Sequence, residues 1–167
     1  STVPRGADAP SVALAPVPRS AWGRVTLVGA GPGDAELLTL KAARVLASAS
    51  LVLYDHLVSK DVLQHVPASA ELIYVGKQSS NHSLPQEGII DLMVRLAQAG
   101  RSLVRLKGGD PYIFGRGGEE AQALAAVGIA CETVPGISAA QGAAAATGIP
   151  LTHRDHAQSL RLLTAHG

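Results

Sequence analysis

The sequence predicts an α/β fold, a parallel sheet covered by helices, on three observations. Short β-branched and apolar runs recur at Val25–Val28, Leu51–Tyr54, Glu71–Val75, Ser102–Leu106 and Ile129–Val134. Apolar residues at helical spacing fill the stretches between most of them. Glycine and proline cluster just past the carboxyl ends of the runs, at Gly29–Asp34, Gly76-Lys77, Gly108–Pro111 and Pro135-Gly136. Strand, helix, strand with short connections is the signature of right-handed parallel crossovers.

Residues 1–22 are rich in Pro, Ala and Ser, lack the basic start and compact apolar region of a secretion signal, and read as a disordered arm or interdomain linker. The first strand, Val25–Val28, runs into Gly29-Ala30-Gly31-Pro32-Gly33-Asp34. Leu37, Leu38, Leu40, Lys41, Val45 and Leu46 then follow at helical spacing. This loop fits a dinucleotide-binding turn poorly. Its third glycine comes too early, and Pro32 removes an N–H that such a turn aims at pyrophosphate. Asp55 ends the second strand, roughly where a ribose-binding acid stands in a nicotinamide enzyme, so that reading stays open beside a plain strand-to-helix turn.

A short helix over Lys60–Val66 is closed by Pro67, and the third strand ends in Gly76-Lys77. Asp55 and Lys77 therefore sit at the carboxyl ends of neighbouring strand candidates, the side on which open α/β sheets place their sites. Pro85 suits the first turn of the next helix, whose apolar face is Ile89, Ile90, Leu92, Met93, Leu96 and Ala97 and whose end is Gly100. Met93 belongs to that core stripe.

The fourth strand leads into Arg105–Glu120, RLKGGDPYIFGRGGEE, the most informative block of the chain. Gly108-Gly109-Asp110-Pro111 continues neither strand nor helix and lets a ligand approach the backbone, while Asp110 can accept hydrogen bonds. Arg116-Gly117-Gly118-Glu119-Glu120 opens a helix, Glu119–Val127, with acids in its first turn. A fifth strand, Ile129–Val134, stops at Pro135-Gly136. Beyond it, Ile137–Thr147 is a helix of small residues, and Leu160–Thr164 reads as a last strand. Residues 136–167 are expected to begin a second, incomplete α/β domain after a first domain over residues 23–135.

Composition bounds the function. The formal net charge of +1 supplies no global field for nucleic acid or a membrane surface, so any anionic ligand must be met by a local cationic cluster. Cys131 is the only cysteine, which excludes an internal disulfide, fits a reducing cytoplasm and suits a small buried hydrophobe. His153 and His156 lack a nearby third ligand for a metal.

Taken together, VTLVGAGPGD (25–34), YDHLVS (54–59), the block at 105–120, VPGISAA (134–140) and GIPLTHRD (148–155) resemble uroporphyrinogen-III C-methyltransferases of the tetrapyrrole methylase family. These include the methyltransferase half of fused sirohaem synthases. The resemblance runs from Gly23 to Gly167. It implies a tetrapyrrole-methylase-like fold whose N-terminal five-stranded parallel sheet is followed by the start of a second domain. It further implies a homodimer, a possible fusion to a dehydrogenase/ferrochelatase domain, and S-adenosylmethionine as methyl donor. The expected activity is conversion of uroporphyrinogen III to precorrin-2, feeding sirohaem and cobalamin synthesis, without a metal.

Carried over by position, the resemblance implies cofactor contacts at Pro32, Gly108, Gly109, Asp110, Ile113, Ser138 and Ala139. It implies a proton acceptor at Asp55, a proton donor at Lys77, and tetrapyrrole contacts at Arg116, Glu119 and Arg154. Gln78 stands where Arg is usual and Ser138 where Thr is common. Family members also extend well past a sequence like Thr164–Gly167. Alternatives are a different precorrin or ribosomal RNA methyltransferase of the same fold, and a non-catalytic cofactor-binding fragment.

Overall fold

The computed structural model describes residues 14–76 and 85–165. Five parallel strands form one sheet: β1 (Val25–Gly29), β2 (Leu51–Tyr54), β3 (Glu71–Tyr74), β4 (Leu103–Lys107) and β5 (Cys131–Val134). Their spatial order is β3-β2-β4-β1-β5. Val25 pairs with Leu103 on one side and Cys131 on the other, which puts β1 between β4 and β5. The helices are α1 (Leu40–Ala47), the single turn α2 (Lys60–Leu63), α3 (Gln86–Gln98), α4 (Gly117–Ala126) and α5 (Ala139–Thr147).

Alternation along the strands builds two cores, one on each sheet face. Leu27, Leu53 and Leu103 point to the face covered by α3 and α4, where Leu92, Met93, Leu96 and Leu124 close over them. Val28, Val52, Val104 and Leu106 point to the other face, against Ala42, Leu46 and Val62 of α1 and α2. The central strands are buried on both sides, as a parallel sheet requires. Cys131 is half-buried and packs at the edge of the first core.

The order reverses in the middle of the sheet. The chain leaving β1 and β2 travels towards the β3 edge, whereas the chain leaving β4 travels towards β5. A crevice opens at the carboxyl ends of strands where successive connections diverge, and here that places it above β4 and its neighbours.

Helix α2 ends at Leu63 rather than Val66, and β5 and α5 each start two residues later than expected, at Cys131 and Ala139. Three further expectations change. The periodic stretch Leu37–Leu46 is not one helix: a 3₁₀ turn at Ala35–Leu37 comes first, and α1 starts only after Thr39, whose hydroxyl caps it by accepting from the Ala42 N–H at 3.0 Å. Helix α4 starts at Gly117, two residues earlier than its apolar pattern indicates. The strand expected over Leu160–Thr164 is absent; the segment is irregular, because both edge strands of the sheet are elsewhere and nothing offers it a ladder.

Candidate functional site

Residues 30–39 separate β1 from α1, so the first glycine loop does not deliver a helix N-terminus to a phosphate. It folds against the loop after β4 instead. Gly31 N–H donates to the Gly109 carbonyl at 3.1 Å, and Gly109 N–H donates back to the Gly31 carbonyl at 2.8 Å. This antiparallel bridge joins the loops after β1 and β4, and both glycines line the crevice. Gly109 has φ +64°, in the left-handed region where a side chain is strained. A Cβ on Gly136 would lie 2.3 Å from the Gly109 carbonyl oxygen and 2.9 Å from the Gly29 Cα. The floor is therefore main chain on main chain.

Asp110 fastens the adjoining wall. Its Oδ1 accepts from the Tyr112 N–H at 2.9 Å and its Oδ2 from the Gly136 N–H at 3.1 Å, tying the loop after β4 to the loop after β5. The Tyr112 hydroxyl meets Thr133 Oγ1 at 2.8 Å. Between Pro111 and α4 the backbone is strained: Phe114 (φ 56°) and Arg116 (φ 57°) are both left-handed without being glycine. Such conformations persist only where surrounding contacts hold them, and they concentrate at ligand-binding loops. The Pro111 carbonyl, accepting from the Gly117 N–H at 2.9 Å, is one such contact.

These loops enclose a cavity of about 770 Å³. Pro32, Asp55, Gly108, Gly109, Asp110, Ile113, Arg116, Ser138 and Ala139 all line it, so nine of the residues singled out from sequence converge there. Asp55 Oδ1 accepts from the Leu57 N–H at 2.9 Å, which fixes the carboxylate at the end of β2. Ser138 is buried and caps α5 in a reciprocal box: its hydroxyl accepts from the Gln141 N–H, and Gln141 Oε1 accepts from the Ser138 N–H at 3.0 Å. Gly142 lets α5 close on Pro32, since a Cβ there would come within 2.7 Å of the proline ring.

Two of the expected residues stand outside the lining. Glu119 is exposed and paired with Arg116 at 2.9 Å. Arg154 is exposed, and its carbonyl accepts from Gln158 Nε2. Lys77 lies outside the described residues. His153 and His156 stack on each other, ring centroids 4.5 Å apart.

The inner wall holds charges to which the sequence reading assigned no role. Arg105 and Lys107 alternate with Val104 and Leu106 on β4 and so point to the face where α4 lies. There Glu120, fully buried, takes Lys107 Nζ on Oε1 at 2.9 Å, with Gln86 Nε2 at 3.2 Å and Arg105 Nε at 3.5 Å. Both cations are buried and line the cavity. Burial, then the repulsion of Arg105, lowers the Lys107 pKa; the charge and hydrogen bond of Glu120, and more distantly the Asp55 carboxylate, oppose that. The available signal was two cations at i and i+2 inside an otherwise apolar strand, which puts both on one covered face.

The profile of the Tetrapyrrole (Corrin/Porphyrin) Methylases matches residues 24–166. The chain belongs to this family. It is 61% identical over 150 residues to siroheme synthase 1 of Pectobacterium atrosepticum, covering 90% of this chain and 31% of that protein. Siroheme synthase of Acinetobacter baylyi is 62% identical over 144 residues, 86% of this chain and 32% of its own. Among solved structures, the uroporphyrin-III C-methyl transferase from Thermus thermophilus complexed with S-adenyl homocysteine matches with a TM-score of 0.67 and 50% identity over 82% of this chain and 53% of that one. A cobalamin biosynthetic enzyme, cobalt precorrin-4 methyltransferase, matches with a TM-score of 0.68 and 34% identity over 83% of this chain and 56% of that one. The chain thus spans about a third of the matched siroheme synthases. The methylase family is the one the sequence motifs pointed to, and its five-stranded parallel sheet is the fold expected. Among the described residues no helix is long and apolar enough to cross a membrane.

Proposed function

We propose that this chain carries the S-adenosylmethionine-dependent C-methyltransferase activity that converts uroporphyrinogen III to precorrin-2. The observation that carries this reading is the backbone-floored cavity at the sheet's switch point, in a chain about half identical to a uroporphyrin-III C-methyl transferase. The cavity fits the cofactor's chemistry. Val75, Ile89, Ile113 and Phe114 give it apolar walls, the glycine bridge gives a floor open to a nucleoside, and polar side chains such as Asp55, Asp110, Arg116 and Ser138 converge on it.

Pro32, Gly108, Gly109, Asp110, Ile113, Ser138 and Ala139 would hold the donor. Asp110 would do so with the lone pairs and backbone left over from its two structural hydrogen bonds. The sulfonium supplies an electrophilic methyl group. The acceptor, an electron-rich pyrrole carbon, needs no strong base, so the chain's work is to orient and to exclude water. Asp55 takes up the proton released from the ring, and Lys77 serves as the proton donor; acid–base help of this kind is worth roughly 10²–10⁴-fold. Arg116, with Glu119 holding it, and Arg154 meet carboxylates of the tetrapyrrole, which suits the guanidinium fork.

Residues 23–135 form the first domain in this reading, and residues 136–167 begin the second. Helix α5, which has no buried residue, and the exposed Ile149, Leu160 and Leu163 support that division. The homodimer, the fusion to a dehydrogenase/ferrochelatase partner domain and the cytoplasmic setting belong to the same proposal; of these, the fusion is supported by the match to about a third of each siroheme synthase relative. The test is anaerobic incubation with uroporphyrinogen III and methyl-labelled S-adenosylmethionine. Label is expected in a dimethylated product with the spectrum of precorrin-2. Label entering only a later precorrin or RNA, or no transfer at all, overturns the assignment.

A further inference from the structure

Two cations on the inner wall and the buried acid behind them do not balance. Arg105 and Lys107 bring two positive charges into the protein, and Glu120 brings one negative charge. All three are at least 94% buried at the side chain. Among the described residues Glu120 is the only acid within ion-pair distance of either cation. Its engaged oxygen, Oε1, lies at hydrogen-bonding distance from Lys107 and Gln86 and at only 3.5 Å from Arg105 Nε. Asp55 pulls on Lys107 across the cavity, beyond ion-pair range, so what negative charge is present favours the lysine. Arg105 is left short. Its Nε and NH1 are buried without a hydrogen-bond partner among the described residues, and the residue lines the cavity. A buried guanidinium with open donors is costly unless an anion arrives to meet it.

We propose that Arg105 is a carboxylate-binding subsite at the inner end of the cavity, with Lys107 and Glu120 as the ion pair that fixes its position. Guanidinium against carboxylate is the pairing that satisfies two parallel N–H donors at once. This inference rests on the methyltransferase reading, because that reading brings two carboxylate sources into the cavity: the amino-acid end of the donor and the acidic side chains of the tetrapyrrole. Lysine would not substitute fully, since it offers a point charge and no planar fork. Glu120 Oε2 is likewise buried without a hydrogen-bond partner among the described residues.

The test compares Arg105→Gln with the unaltered protein by calorimetric titration. Three probes are used: S-adenosylhomocysteine, methylthioadenosine (a thioether of the same nucleoside without the amino-acid end and its carboxylate) and uroporphyrin III. The variant is expected to weaken one carboxylate-bearing probe by roughly 10- to 100-fold, as loss of hydrogen bonds to a charged group does. Methylthioadenosine affinity stays within about twofold. A loss confined to S-adenosylhomocysteine identifies the amino-acid carboxylate as the occupant; a loss confined to uroporphyrin identifies the tetrapyrrole. Arg105→Lys keeps the charge and restores part of the affinity; should Arg105→Gln not fold, Arg105→Lys is read in its place, with a several-fold loss expected for the same probe. Equal loss for all three probes means the residue is structural and overturns the subsite. So does unchanged affinity in a folded variant. If the unaltered protein binds none of the probes, the methyltransferase reading fails and the subsite fails with it, an outcome separate from a binding-competent protein indifferent to residue 105.

Discussion

Replacing Glu120 with Gln keeps the shape of the side chain and removes the one acid that holds two buried cations. An amide carbonyl can still accept from Lys107, but the charge on Oε1 that faces Lys107 at 2.9 Å and Arg105 at 3.5 Å is gone. Removing one partner of a buried pair costs about 3–5 kcal/mol, because the partner left behind stays desolvated and unpaired. At a urea m-value of about 2 kcal/mol/M, even the lower figure moves the midpoint down by about 1.5 M. Urea titration followed by circular dichroism at pH 7 measures it. The pH dependence supplies an independent check. Burial already sets the folded Lys107 pKa below that of the unfolded chain, and deleting Glu120 removes the two largest influences that hold it up. Between the folded and unfolded values the unfolded chain binds more protons, so stability rises with pH there. The deficit of Glu120→Gln is therefore expected to shrink as pH is raised from 7 towards 10, as Lys107 loses its proton in the folded state. A midpoint within about 0.3 M of the parent, or a deficit that grows with pH, refutes the claim that Glu120 neutralises buried charge.

Other outcomes follow from single contacts. Gly136→Ala forces a methyl group onto the Gly109 carbonyl and the Gly29 backbone, neither of which can swing away, and is expected to cost at least about 2 kcal/mol and to abolish cofactor binding; Gly118→Ala, in the same fold but with nothing within 4 Å, is expected to stabilise α4 by roughly 0.5–1 kcal/mol. Thermal melts of the pair check both. Ser138→Ala removes the α5 cap and half of its reciprocal box, for a loss of about 1 kcal/mol in the same melts. Burial, and behind it the negative charge of Glu120, pushes the Cys131 thiol above its ordinary value, so at pH 8 iodoacetamide is expected to label it more slowly than free cysteine and to reach the free rate in urea.

Much of the fold could be read in advance because its signals are local. Four of the five strand runs ended at glycine or proline, the second at Asp55-His56 instead, and Gly100, at positive φ, stands just past the end of α3 as the pattern required. The misjudged pieces were those decided by context. Thr39 breaks Leu37–Leu46 by capping, a role invisible to an apolar count that also scores the almost fully exposed Leu40 as core. Leu160–Thr164 has strand composition, but a strand exists only when a neighbour offers it a ladder. Most of the site converged because its residues cluster at strand ends, which topology brings together. Asp110 was legible as an acceptor, though not as the clip it makes between two loops. Arg105, Lys107 and Glu120 were passed over because burial is a property of the packed sheet: a cation in a strand looks like a surface residue until α4 covers it.

The glycine contact among positions 29, 109 and 136 also limits how an inhibitor could be evaded. A compound anchored on the main chain of Gly109, the member of that contact that lines the cavity, faces a surface that single amino-acid changes have little means of editing, since a side chain there would sit at φ +64° and one at 29 or 136 would collide with the protein's own backbone. Resistance would have to arise along the side-chain walls, at positions such as Ile113 or Phe114, and compounds that lean least on those walls should keep their potency longest.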